Sequence, residues 1–159
     1  KISPFIKGGG QERNMRSGTE NIYAIAGMAK AMELSYETLI EDTKYIKDLK
    51  SYMIEKLKRH IPGIAFYGNC IDLENSLYTI LNVSMPEIKD LDMLLFNLDI
   101  MGIACSSGSA CSSGVSKKSH VISYLDPDSN RASLRFSFSK YNTKSELDYV
   151  IKKLKELCF

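Results

Sequence analysis

At 159 residues the chain has the length of one domain and enough material for a working core. A hydrophobic share of 44% and a charged share of 25% are ordinary for a globular protein, and a formal charge of +2, with Lys and Arg interspersed among Asp and Glu, argues against a nucleic-acid partner. No run approaches the roughly 18 apolar residues that would span a bilayer, and no basic and apolar leader opens the chain, so no membrane role is expected. The first residues, from Lys1, read as mid-protein sequence and predict a fragment of something longer.

From Lys1 to Asn21 there is no hydrophobic period. Gly8-Gly9-Gly10-Gln11-Glu12 is followed by Arg16-Ser17-Gly18-Thr19-Glu20-Asn21, just ahead of an apolar stretch. A guanidinium, a hydroxyl and backbone N–H groups at a helix start suit a phosphate, although the Gly-Lys-Ser/Thr ending of a Walker loop is missing. An N-cap at Thr19 or Asn21 accounts for the same residues equally well. Ile22 to Leu34 is small on nearly every side, with Ala24, Ala26, Gly27, Ala29 and Ala31, which predicts a helix packed closely against a partner outside the segment. Tyr36 to Ile61 carries Leu39, Ile46, Leu49, Met53 and Leu57 at helical spacing, stopped by Pro62-Gly63.

Ile64 to Tyr67 and Leu77 to Val83 read as strands, being β-branched, aromatic and bounded by turn residues. Ile88, Leu91, Leu94, Leu95 and Leu98 predict a helix ending at Gly102, and Ser119 to Leu125 a short one. Asp126-Pro127-Asp128-Ser129-Asn130 reads as a turn. Ala132 to Phe138 alternates, with Leu134, Phe136 and Phe138 on one face and Ser133, Arg135 and Ser137 on the other. An arginine between two serines is ordinarily solvated, but on a face that lines a cleft its fork grips a carboxylate through two hydrogen bonds. Thr143-Lys144-Ser145-Glu146 is a capping box, and Leu147, Val150, Ile151, Leu154 and Leu157 form the inward stripe of a closing helix. The sum is an α/β fold, in the sense of a small α+β domain: a few-stranded sheet covered by helices, its strand order open.

Between the third predicted helix and the fourth lies Ala104-Cys105-Ser106-Ser107-Gly108-Ser109-Ala110-Cys111-Ser112-Ser113-Gly114. Residues this small and hydroxylated fill no core and favour a loop. A thiol there is either an incidental member of an exposed turn or a nucleophile, once its pKa is lowered or a substrate positions it. The four cysteines (Cys70, Cys105, Cys111, Cys158) read as reduced thiols in a cytoplasmic setting. No metal site is expected: the spacing of Cys105 and Cys111 is not that of a zinc pair, and neither His60 nor His120 adjoins such a pair.

Three stretches together carry a family resemblance. They are Gly8-Gly9-Gly10-Gln11-Glu12 with Arg16-Ser17-Gly18-Thr19; Ser106-Ser107-Gly108-Ser109-Ala110-Cys111; and Arg135-Phe136-Ser137 followed by Tyr141-Asn142-Thr143 and Glu146-Leu147-Asp148-Tyr149. In this order they resemble the C-terminal portion of the pyridoxal-phosphate-dependent cysteine desulfurases that serve iron-sulfur cluster assembly and nitrogen fixation, a class-V aminotransferase-like family with the fold-type I architecture. The resemblance implies that Cys111 takes sulfur from L-cysteine as a persulfide, leaving L-alanine, and passes it to a sulfur acceptor or iron-sulfur scaffold protein. It implies that Arg135 binds the substrate carboxylate. It also implies that Thr19, with Arg16 less firmly, contributes to the pyridoxal 5'-phosphate site of the partner subunit, in a symmetric homodimer. Residues 1–34 then belong to the cofactor-domain side, and 35–159 form the small domain that carries the cysteine loop.

The departures have consequences. The family's Schiff-base lysine lies upstream of the Gly-rich stretch, hence before Lys1, and Lys117-Lys118-Ser119-His120 has the wrong order and place to replace it. The segment alone is therefore expected neither to hold the cofactor covalently nor to turn over cysteine. Phe138-Ser139-Lys140 stands where the family often has Leu-Gly-Arg, a weaker basic end. Cys105 reads as a small packed residue, and His120 has no assigned duty. Two other readings stay open: a selenocysteine lyase-like enzyme of the same family, and a non-catalytic sulfur carrier or docking module.

Overall fold

The computed structural model describes residues 3–86, 91–107, 119–126 and 131–159. The chain divides into two compact units, Lys1–Leu39 and Ile40–Phe159.

In the first unit the glycine run leads into a 3-10 turn, Glu12–Asn14, whose three residues all have positive φ, from 46 to 63°. That left-handed region disfavours side chains with a Cβ, and the turn is closed by Asn14 N–H to the Gln11 carbonyl and Met15 N–H to the Glu12 carbonyl, both 2.9 Å. Helix α1, Ile22–His60, begins after it. Of the two candidate caps, Asn21 is the one used: its Oδ1 accepts from the Ala24 N–H at 3.1 Å. Where two helices are expected, there is one. Ser35 and Thr38, at the expected break, turn their hydroxyls back onto the carbonyls of Ala31 and Leu34, so neither competes with the helical ladder. Within this unit the small-residue face is exposed, as are Ile22, Met28 and Met32.

The second unit is a three-stranded antiparallel sheet with helices on one face. Strand β1 is Ala65–Phe66, β2 is Ile80–Ser84 and β3 is Ser133–Ser137, in the order β1-β2-β3. The helices are the remainder of α1, α2 (Leu91–Ile100), α3 (His120–Leu125) and α4 (Lys144–Cys158). Thus the α/β expectation holds, with β1 shorter than predicted and β2 shifted towards Ser84. Residues 127–130 of the predicted turn at Asp126–Asn130, and the predicted position of Ile88, lie outside the described residues.

Alternation builds the core. Leu81 and Val83 of β2 and Leu134 and Phe136 of β3 turn one way, onto Leu49, Met53 and Leu57 of α1, Leu94 and Leu98 of α2, and Leu147, Ile151 and Leu154 of α4. The α4 stripe is the one its spacing predicts, and the capping box is present in full: Thr143 Oγ1 accepts from Glu146 N–H while Glu146 Oε2 accepts from Thr143 N–H at 2.7 Å. Beneath the helices, Lys50 is completely buried, its ammonium donating to Ser76 Oγ at 3.0 Å and the Leu77 carbonyl at 2.9 Å, and burial lowers its pKa. Those bonds fasten the 69–77 loop, itself gathered round Asp72, to α1.

Candidate active site

The exit from α2 aims the chain at β3. Gly102 takes φ +76°, with Gly102 N–H bonded to the Asp99 carbonyl and Ile103 N–H to the Leu98 carbonyl, both 2.9 Å, which is a Schellman ending made possible by glycine. Buried Ile103 sits over buried Leu98, as such endings favour. The segment that follows is extended, and at Ser106 it pairs with β3: Arg135 N–H donates to the Ser106 carbonyl at 2.6 Å and Ser106 N–H to the Arg135 carbonyl at 3.2 Å. Two residues 29 positions apart in sequence therefore stand side by side, and Cys111 follows Ser106 by five positions in sequence.

Period-two geometry sorts the side chains of this segment. Ile103 and Cys105 face the core, and burial pushes the Cys105 thiol up to about 11, well above the range in which a thiolate forms at neutral pH. Cys105 is thus the packed small residue its surroundings require. Cys111 lies outside the described residues.

Arg135 occupies the sheet face that the helices leave. It pairs in register with Asn82 of β2, while Ser133 pairs with Ser84. The β1 ladder continues one step, Tyr67 N–H donating to the Asn82 carbonyl at 3.1 Å, which sets Tyr67, Asn82 and Arg135 in one row across the three strands. Among the described residues, three buried polar side-chain atoms lack a hydrogen-bond partner: Tyr67 Oη, Ser84 Oγ and Arg135 Nε. By register, one comes from each chain segment of this face. Buried polar groups are almost always paired, so three unpaired ones on a single face set it apart from the rest of the described residues. Ser133 Oγ donates to Asn82 Oδ1 at 2.8 Å and holds that amide in place. At the end of the same strands Arg131 donates through Nε to the Met85 carbonyl at 2.7 Å and through Nη2 to the carbonyls of Ser84, at 3.0 Å, and of Gly63, clamping the turn before β1 to the end of β2.

A hollow of about 470 Å³ lies elsewhere, between α4 and the core face, lined among others by Phe136, Phe138, Glu146 and Tyr149 but not by Arg135. In the first unit Thr19 is exposed, whereas Arg16 is engaged: Nη2 meets Glu20 Oε2 at 2.6 Å and Glu12 Oε1 at 3.8 Å, and Nη1 donates to the Gly18 carbonyl at 2.8 Å. Among the described residues no group of His, Cys, Asp and Glu could hold a metal ion, and no helix is long and apolar enough to cross a membrane.

The strand alternation puts Ser133 on the Arg135 face, but the sequence does not single out Asn82, Ser84 or Tyr67. Their signal was present, since Asn82 and Ser84 interrupt an apolar strand at alternate positions, but polarity alone does not say whether such a face is wet or buried.

A small antiparallel sheet with helices on one face and an arginine on the other, bridged by backbone to Ser106, is the setting in which the family comparison falls. Residues 6–150 match the aminotransferase class-V model, and the chain belongs to that family. More particularly, it is 35% identical over 159 residues to the cysteine desulfurase IscS of Dictyoglomus turgidum, covering 99% of this chain and 39% of that protein. Among solved structures, a NifS-like protein superposes with a TM-score of 0.76 at 36% identity, over 98% of this chain and 38% of that one. The NifS-like protein of Rickettsia africae does so with 0.76 at 30% identity, over 99% and 40%. The chain thus spans about two fifths of the length of the relatives it matches.

Proposed function

We propose that this chain is the C-terminal part of a cysteine desulfurase, in which Arg135 binds the carboxylate of L-cysteine and Cys111 removes its sulfur. The observation that carries the reading is the Ser106–Arg135 backbone bridge beside a guanidinium whose buried Nε has no partner. Covalent length adds to it: Cys111 is five residues beyond Ser106, hence within about 18 Å of that anchor however the chain runs. From a Ser/Gly-rich sequence anchored there, a Cys111 thiolate would attack the substrate sulfur as the carbon–sulfur bond breaks and the carbon takes up a proton to leave as L-alanine, and the resulting persulfide would pass to an acceptor or iron-sulfur scaffold protein.

Pyridoxal phosphate, when bound in the full-length protein, supplies the electron sink that lets the carbon–sulfur bond weaken. What this chain offers the group is limited. The Thr19 hydroxyl is exposed and makes no hydrogen bond among the described residues, which fits a phosphate reached across a homodimer. Arg16 would first have to leave Glu20. Residues 1–34 are assigned to the cofactor-domain side and the rest to the small domain. A cytoplasmic setting suits Cys70, Cys105 and Cys158, all free thiols.

The test is Cys111→Ser in the full-length protein. Sulfide and persulfide production should vanish while the cofactor absorption stays; retained activity would remove Cys111 from the reaction.

A further inference from the structure

The ladder between β3 and the segment leaving α2 stops after one step. Antiparallel geometry calls for Ala104 to pair with Ser137, two positions beyond the Ser106–Arg135 bridge on each side. That pair is not made: the backbone N–H and C=O of Ala104 and of Ser137 have no partner among the described residues. Both groups of Ser137 turn away from β2, because its neighbour Phe138 is the one whose N–H donates to the Thr79 carbonyl, at 2.8 Å. The gap opens into the hollow of about 470 Å³ beside α4, where Phe136, Phe138, Tyr149 and Val150 supply apolar walls.

Two further observations narrow what fits. The 102–105 segment is tied at both ends, by the Ser106–Arg135 bridge and by Tyr149 Oη donating to the Met101 carbonyl at 3.0 Å, so an extended chain could not run through the gap without breaking a tie. The one charged side chain lining the hollow is Glu146, which disfavours phosphates and carboxylates. A strand residue with a free N–H beside a free C=O is complemented by a donor next to an acceptor on a flat edge, and apolar walls suit the faces of a ring.

We infer that this hollow is a binding site for a small, flat nitrogen heterocycle, neutral or cationic, whose donor–acceptor edge pairs with the backbone of Ser137. The site is separate from Arg135 and from the sulfur chemistry proposed for Cys111.

The probe is adenine, whose 6-amino group and N1 form such an edge, titrated into the full-length protein and followed by saturation-transfer NMR. Binding should be saturable, with a Kd on the order of 1 mM. Purine, the same ring without the amino donor, should bind about tenfold more weakly, and so should AMP, which adds a phosphate. Ser137→Pro removes the free N–H at a position where no ladder bond is lost, and Val150→Phe fills the hollow; each should weaken adenine at least about tenfold. Should the proline variant not fold, Val150→Phe decides alone. No binding of adenine by the parent, equal binding by the folded variants, or AMP binding as well as adenine would each overturn the inference, and none of these outcomes bears on Cys111 or Arg135.

Discussion

The two faces of the sheet are built from the same three strands and behave as different materials. On the helix side Leu81, Val83, Leu134 and Phe136 are almost wholly buried and close a continuous apolar core. On the other side Tyr67, Asn82, Ser84, Ser133 and Arg135 stand at alternate positions, and three of their polar atoms are buried without partners. The first face repays burial by the hydrophobic effect. The second leaves hydrogen-bonding capacity unused, which is a cost in the folded domain. Adjacent residues of β3 therefore meet different surroundings, Phe136 the apolar core and Arg135 the polar face.

That division has consequences that can be measured. The largest should come from Phe136→Ala, which removes a buried core ring and is expected to cost about 3–5 kcal/mol of stability in denaturant unfolding. An intact unfolding midpoint would show that the apolar face is not the source of stability. Its neighbour should give the reverse pattern: Arg135→Ala is expected to leave unfolding nearly unchanged and to raise the cysteine concentration needed by the full-length enzyme, by the equivalent of about 1.5–3 kcal/mol. Comparable losses of stability in both variants would erase the distinction between the faces.

A smaller effect tests the frame that holds them. Thr143→Ala takes one half of the α4 capping box and should cost about 1 kcal/mol, read as a lower unfolding midpoint with no change in KM. Least of all is a pH effect at the rim of β2. Hydrogen bonds from Asn75 and Glu74 lower the Asp72 pKa to about 2 from 3.8. A carboxyl depressed on folding stabilises above its unfolded value, so the contribution should be present at pH 5 and fade as pH falls from about 4 to 2. Asp72→Ala should flatten that window in acid-unfolding curves, and unchanged acid sensitivity would dissociate the loop from the sheet.

Local chemistry reads directly from sequence. The capping box of α4, its inward stripe, the alternation of β3 and the glycine that ends α2 each depend on residues within a few positions of one another, and each is found where spacing puts it. The uninterrupted α1 was less legible, because whether Ser35 breaks a helix or bonds back to it depends on a hydroxyl rotamer. The motif residues were legible through resemblance, yet their juxtaposition was not.

Sequence by itself determined which residues alternate, which cap and which turn, because those preferences are carried by the backbone and its nearest neighbours. Only the tertiary structure decided that Ser106 bonds to Arg135, that Asn82 stands opposite it, and that the face they share is buried but unsatisfied. Strand register brings together residues from remote parts of the chain, and no local propensity encodes which of them will meet.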